Sequence, residues 1–153
     1  VSTPDPGSFR DPASRVVIDG DKVLRLLDKR GLEGWRALST TEFFRGAVAD
    51  GRLIEAVEVD PPDGSAGALV HPRLELITYP YEWTFSMLRD AALLQLDLLE
   101  GALSAGLTIK DATPYNIQFV DGRPRFIDIG SFEPYRKGEP WIGYRQFTRQ
   151  FLF

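Results

Sequence analysis

Two short apolar runs, Ile117-Gln118-Phe119-Val120 and Arg125-Phe126-Ile127, flank an Asp121-Gly122 pair, and this arrangement constrains the fold more than any other feature of the chain. An Asp-Gly pair between strand-forming runs predicts a tight hairpin, because both residues tolerate the positive φ that matches the twist of the strands. A hairpin this short returns the chain to where it began. Asn116 stands just before the first strand and Asp128 just after the second. Asp111 opens the polar loop leading in, and Ile129-Gly130 follows Asp128. Three residues with oxygen-bearing side chains, Asp111, Asn116 and Asp128, thus cluster in sequence around one hairpin.

Composition limits what such a cluster can serve. The 153 residues are 43% hydrophobic and 26% charged, which suits one soluble globular domain with a sizeable core. The net charge of -4 is spread along the chain with no long run of one sign, so no nucleic-acid partner is expected. Without cysteine there are no disulfides, thiolate metal sites or thiol nucleophiles, and a reducing, cytoplasmic setting is expected. The most apolar stretch, 91–107, is interrupted by Gln95, Asp97 and Glu100. No membrane span or signal peptide is expected.

Residues 1–14 read as an extended lead-in, with three prolines and a glycine. Val16-Val17-Ile18, Asp19-Gly20-Asp21 and Lys22 to Leu27 predict a first hairpin. A helix is expected over 39–50, with Ser39 or Thr40 as N-cap, Glu42 in the first turn and Gly51 as its stop. Alternation over 53–59 predicts a strand, closed by the turn at 61–65, and 68–70 with 74–79 predict a further pair or one bent strand. The strongest helix runs from Glu82 to about Ala105, with Leu88, Ala92, Leu96, Leu99 and Leu103 as its apolar stripe and Gly106 as terminator. A last amphipathic segment, expected to be helical, starts at Trp141 and ends in the apolar Phe151-Leu152-Phe153. Both termini read as cut.

Phosphoryl transfer needs a carboxylate to orient or deprotonate the acceptor hydroxyl, and oxygen ligands that hold Mg²⁺ against the phosphates. An Asp opening a loop, an Asn five residues on, a hairpin, and an Asp before an aliphatic-Gly pair supply both. In this arrangement Asp111 to Asn116 and Asp128-Ile129-Gly130 resemble the protein-kinase-like superfamily, nearer in style to the small-molecule and antibiotic kinases. The resemblance implies an α+β, two-lobed fold. The small antiparallel-sheet lobe with one helix would span 15–80, and the helical large lobe would begin at 81 and be incomplete at 153. It also implies Asp111 as the catalytic base-like residue and Asn116 and Asp128 as Mg²⁺ ligands. In the nucleotide-binding role, Arg25 would stand for the phosphate-contacting lysine, with Glu42 as its helix partner. Mg²⁺ and ATP would be the cofactors of this chain.

Ile109 departs from this pattern, standing where the signature has histidine, and Ile18-Asp19-Gly20-Asp21 supplies one glycine rather than a glycine-rich phosphate loop. Arginine in place of lysine also exchanges a point charge for a planar fork. Phe126 to Ser131 could open an S-adenosylmethionine motif of class I methyltransferases, but Phe132 and Glu133 stand where further glycines are needed. A wider likeness is carried by His71-Pro72-Arg73-Leu74, Tyr79-Pro80-Tyr81-Glu82-Trp83, the Asp111 to Phe119 segment and Tyr135 to Phe147. These are similar to the amino-terminal region of bacterial proteins described as SAM-dependent methyltransferases or nodulation-related proteins. That likeness implies a methyltransferase domain, with its S-adenosylmethionine, beyond residue 153, and an appended C-terminal domain as partner.

Two functions follow. One is a kinase-like, nucleotide-binding accessory domain of a larger methyltransferase; the other is an active Mg-ATP-dependent phosphotransferase acting on a small hydroxylated substrate. His71, the only histidine, is expected at a turn or strand edge, and Ser131 has no assigned role. Trp83, Trp141, Tyr144, Phe147, Phe151 and Phe153 are expected to pack in the core.

Overall fold

The computed structural model describes residues 3–4, 14–61 and 64–152. Its first half is an antiparallel sheet with one helix laid against it and a second helix packed on the first. β1 (Thr3–Pro4), β2 (Ser14–Asp19), β3 (Lys22–Leu27), β4 (Val57–Val59) and β5 (Gly67–Pro72) lie in the order β1-β2-β3-β5-β4. The expected hairpin is β2-β3, turning at Gly20 with φ 61°. Of the lead-in, Thr3 and Pro4 pair with Ile18 and Val17; proline is tolerated there because the strand is an edge. The connection 5–13 between β1 and β2 lies outside the described residues.

Between β3 and β4 run α1 (Lys29–Ser39) and α2 (Glu42–Ala49). Sequence patterning does not reveal α1, since Gly31 and Gly34 dilute its helix propensity. It forms because Asp28 caps it, accepting the Gly31 N–H at 2.7 Å, and because Trp35 and Leu38 are buried against the core. Its glycines permit close packing: a Cβ on Gly34 would stand 3.2 Å from the Phe132 carbonyl. The expected cap of the next helix moves by a residue or two. Ser39 ends α1 and Thr41 caps α2, accepting the Phe44 N–H at 3.1 Å.

The second half begins at Thr84, which caps α3 (Phe85–Ser104). β6 (Leu107–Ile109) pairs with β9 (Phe132–Pro134), and β7 (Ile117–Val120) with β8 (Arg123–Phe126). Asp121 and Gly122 both take positive φ, 51° and 75°, as the Asp-Gly turn requires. α4 (Tyr144–Phe151) buries Phe147 and Phe151. Trp141 packs on Phe147 and Trp83 on Phe119, whereas Tyr144 is exposed; Phe153 lies outside the described residues.

Three expectations are corrected. The stripe of α3 is displaced in part: Leu99 is buried as expected, and Leu88 and Ala92 pack against the core, but Ala91, Leu94, Gln95, Leu98 and Ala102 also face inward, while Leu96 and Leu103 are exposed. The helix is apolar on most sides, so its leucines do not fix the phase, and the decisive inward residue is the amide Gln95. The predicted strand at 74–79 is absent; Leu76 and Ile77 are exposed, and the Thr78 N–H is satisfied by the Gln118 side chain at 2.8 Å. Of 53–59 only β4 is a strand. Leu53 instead bridges Phe126 in parallel, with Ile54 N–H donating to the Phe126 carbonyl and Phe126 N–H to that of Arg52, both at 2.9 Å. That joint fastens the two halves, and one apolar cluster runs through it from Leu27 and Leu69 to Leu98, Ile117 and Phe126. No described helix is long and apolar enough to cross a membrane.

Candidate functional site

Register places the first site residue. On β3 and β5, Arg25 stands opposite Leu69 and Val23 opposite His71, so Arg25 and His71 share the face that also carries the buried Leu27. This face looks toward the end of the β7-β8 hairpin. There Asp128 leaves β8 and enters a one-turn 3-10 helix, Ile129–Ser131. Arg25 Nη1 lies 2.8 Å from Asp128 Oδ1, and both side chains are largely buried. The contact is an ion pair rather than an aligned hydrogen bond, since Asp128 Oδ1 accepts no hydrogen bond of good geometry among the described residues.

The polar loop arrives from β6. Pro114–Asn116 forms a second 3-10 turn, and Thr113 caps it by accepting the Tyr115 N–H at 3.4 Å. Asn116 Nδ2 donates to Asp128 Oδ2 and Ser131 Oγ at 3.4 Å and to the Asp111 carbonyl at 3.5 Å. The Ile127 N–H donates to the Asn116 carbonyl at 2.8 Å, so the ends of the hairpin are tied as well as close. Asn116 thus ties the Asp128 carboxylate to the backbone at Asp111. Asp111 Oδ1 is buried and accepts no hydrogen bond among the described residues, an uncommon state for a carboxylate oxygen.

The loop is also braced from behind. The Ala112 N–H donates to Gln146 Oε1 on α4 at 2.8 Å, Trp141 Nε1 donates to the Ile109 carbonyl at 2.7 Å, and the Lys110 N–H to that of Ser131 at 2.8 Å. Ile109, in the position where histidine was the comparison, is fully buried in β6.

Glu42 is not part of this cluster. It is exposed on the first turn of α2, where a carboxylate favours the helix dipole, and the ion pair that Arg25 makes among the described residues is with Asp128. The expected partnership of Arg25 with Glu42 is replaced by the pair with Asp128.

Two residues enter that patterning missed. Ser131 is fully buried, and its hydroxyl donates to Asp128 Oδ2 at 2.5 Å, holding that oxygen opposite the one facing Arg25. Its sequence signal was only its place next to Gly130. His71, expected at a turn or edge, sits near the end of β5, opposite Val23 of β3, and is buried. Its Nδ1 lies 3.0 Å from the Glu55 carbonyl, which makes Nδ1 the protonated nitrogen and leaves a lone pair on Nε2; that atom has no hydrogen-bond partner among the described residues. Burial first, then the charge of Arg25, lowers its pKa to about 4, against opposing contributions from the Glu55 carbonyl and Asp128. The imidazole is neutral at pH 7.

A groove of about 390 Å³ opens nearby, lined by Arg30, Gly34, Lys110, Gly130, Glu133 and Arg136 among others. It reaches Lys110 and Gly130 on either side of the cluster, yet none of Arg25, Asp111, Asn116 and Asp128 lines it. Among the described residues no three His, Cys, Asp or Glu side chains converge as a metal site. Asp128 with the Asn116 amide is the arrangement of hard oxygen donors on hand.

No protein-family model matches the chain. It is 43% identical over 152 residues to the nodulation protein NoeA of Rhizobium meliloti (strain 1021), a match that takes in 95% of this chain and 32% of that protein. The chain therefore spans about a third of the length of the curated relative it matches.

Proposed function

We propose that this chain is a kinase-like, nucleotide-binding accessory domain of a larger SAM-dependent methyltransferase protein. The observation that supports the nucleotide-binding part is the pair of Arg25, from β3, with Asp128, whose other carboxylate oxygen is held by Asn116 from the loop that Asp111 opens. Protein kinases gather a strand-borne cation, a metal-binding Asp and a loop bearing Asp and Asn about one nucleotide, although there the cation pairs with a helix Glu rather than with the metal-binding Asp. The strand order, with both helices inserted between β3 and β4, is consistent with a small lobe of that kind. The methyltransferase context rests on the sequence likeness around His71, Tyr79 to Trp83 and Tyr135 to Phe147.

Arg25 would meet a phosphate oxygen. To hold Mg²⁺, which when bound neutralises phosphate charge, Asp128 and Asn116 would have to turn their oxygens to one ion, because Asn116 presents its amide nitrogen to Asp128 Oδ2. Arg25 already stands 2.8 Å from Asp128 Oδ1, so a cation at that oxygen competes with a fixed guanidinium. This competition, and Ile109 in place of histidine, favour the accessory role over catalysis. The phosphotransferase reading is favoured by one observation: Asp111 Oδ1, though buried, accepts no hydrogen bond among the described residues, so a turn of the side chain that exposed it would let it accept one from an acceptor hydroxyl.

Thermal-shift titration of the full-length protein with ATP and Mg²⁺ tests the nucleotide site. We expect a rise in Tm that is lost in Asp128→Ala. No shift, or the same shift in the variant, removes nucleotide binding from this domain. Calorimetry of the full-length protein with S-adenosylmethionine tests the methyltransferase context, and absence of binding overturns it.

A further inference from the structure

The groove of about 390 Å³ lies between the start of α1, the β6-β9 strand pair and the segment 135–142. Its volume suits a small organic ligand, and part of its lining is apolar: Leu27, Trp35 and Ile129 border it and are otherwise buried.

Two polar side chains on its inner wall have no partner. In β6, Leu107 and Ile109 belong to the core, so strand alternation turns Thr108 to the opposite face, where it lines the groove. Thr108 is only 7% exposed, yet its hydroxyl makes no hydrogen bond among the described residues. A polar side chain buried to that degree is seldom left without one. Two residues on, Lys110 also lines the groove; it is partly buried, and its ammonium enters no hydrogen bond or ion pair among the described residues.

The charges on the walls single out Lys110. Of the other cations, Arg30 meets Glu133 at 3.5 Å and Arg136 meets Glu139 at 3.7 Å, and both arginines are exposed at the rim. Each of these pairs is neutral as a unit. Glu33 is the remaining acid and is exposed, so the inner charge without a counter-ion is positive. Glu33, Glu133 and Glu139 all border the groove, and a dianion such as phosphate meets their repulsion with twice the charge of a carboxylate.

We propose that this groove binds a small organic acid. Its carboxylate meets the Lys110 ammonium and accepts from the Thr108 hydroxyl, and its apolar body lies on Leu27, Trp35 and Ile129. Residues two apart on a strand share a face, which lets Thr108 and Lys110 reach one carboxylate together. The groove backs onto the Asp111 cluster, because the Lys110 N–H donates to the Ser131 carbonyl at 2.8 Å, but it shares none of Arg25, Asp111, Asn116 and Asp128. The proposal stands apart from the nucleotide reading.

Saturation-transfer NMR on the full-length protein, titrated with 3-phenylpropionate, tests it. Transfer to the ring protons is expected, with a Kd that rises roughly ten-fold in Lys110→Met, where a charge-assisted hydrogen bond is lost, and roughly three-fold in Thr108→Val. Lys110→Arg, which keeps the charge, should still bind. Uncharged 3-phenylpropanol should show little transfer, and equimolar inorganic phosphate should not displace the acid. No transfer to 3-phenylpropionate, equal transfer to 3-phenylpropanol, displacement by phosphate, or a Kd unchanged in both Lys110→Met and Thr108→Val overturns the proposal. Loss of binding in Asp128→Ala would put the acid in the cluster and overturn it as well. Circular dichroism checks that each variant is folded, and Thr108→Val, which keeps the shape of the side chain, decides the matter if Lys110→Met is not. Absence of ATP binding removes only the nucleotide reading, and absence of 3-phenylpropionate binding only this site.

Discussion

In the first half of the molecule, Arg25 is placed by a ladder: β3 is paired on both sides, to β2 and β5, over its whole length. In the second half, Asp111 sits on a loop with no ladder of its own, held by Gln146, Trp141 and the Asn116 turn. Moving Arg25 requires slipping a strand, which would turn every side chain to the other face. Moving Asp111 requires only breaking a few hydrogen bonds. The cluster thus joins a rigid cation to an adjustable carboxylate, and the joint between them is Phe126.

Phe126 offers the strongest way to break that comparison. Its ring is fully buried and packs edge-on against Phe132, while its backbone pairs with Arg52 and Ile54 from the sheet half. Phe126→Ala should cost ~3–5 kcal/mol from lost burial and the cavity left behind. Urea denaturation followed by tryptophan fluorescence measures it. A loss under ~1 kcal/mol would show that the halves do not depend on this joint, since a well-packed Phe cannot be removed so cheaply.

The buried imidazole sharpens the sheet side. His71 titrates at 6.5 in the unfolded chain and at about 4 in the folded one. Between these values the unfolded state holds more protons, so stability is full above pH 6.5 and is lost as pH falls toward 4. The whole difference amounts to ~3 kcal/mol. The groups facing it are Arg25, Asp128 and the Glu55 carbonyl. In His71→Gln the acid side of the stability profile should flatten across that window. Equal slopes in the two proteins between pH 6.5 and 4 would assign the acid sensitivity to other groups.

The same contrast explains how much the sequence discloses. Asp111, Asn116 and Asp128 are legible because a two-residue turn leaves little freedom in where the hairpin ends meet. Arg25 is legible as a strand residue, but its partner is not. Choosing Glu42 required knowing how α2 packs, and the overlooked α1 lies between the two in sequence. Gln95 misleads because an inward amide looks like an outward one, which shifts the reading of α3 by part of a turn. Ser131 and His71 were undervalued for a related reason. Their roles depend on burial beside Asp128 and Arg25, and no local pattern records which polar residue a distant strand will cover.

The smallest effect tests whether the Asp111 loop is held as described. Gln146 Oε1 accepts the Ala112 N–H, and Ala112 is fully buried, so water cannot readily replace that acceptor. Gln146→Ala leaves a buried N–H without a partner, which costs ~1–2 kcal/mol. Gln146→Glu keeps an acceptor oxygen in reach and should retain much of that. Because the loss is local, amide exchange should separate it from a general weakening: Ala112 should exchange faster in Gln146→Ala, while amides of the β2-β3 ladder keep their protection relative to global stability. Faster exchange in both places would mean that α4 braces the whole molecule. Faster exchange at Ala112 alone would mean that the position of Asp111 can be adjusted from α4 while Arg25 stays where the ladder puts it.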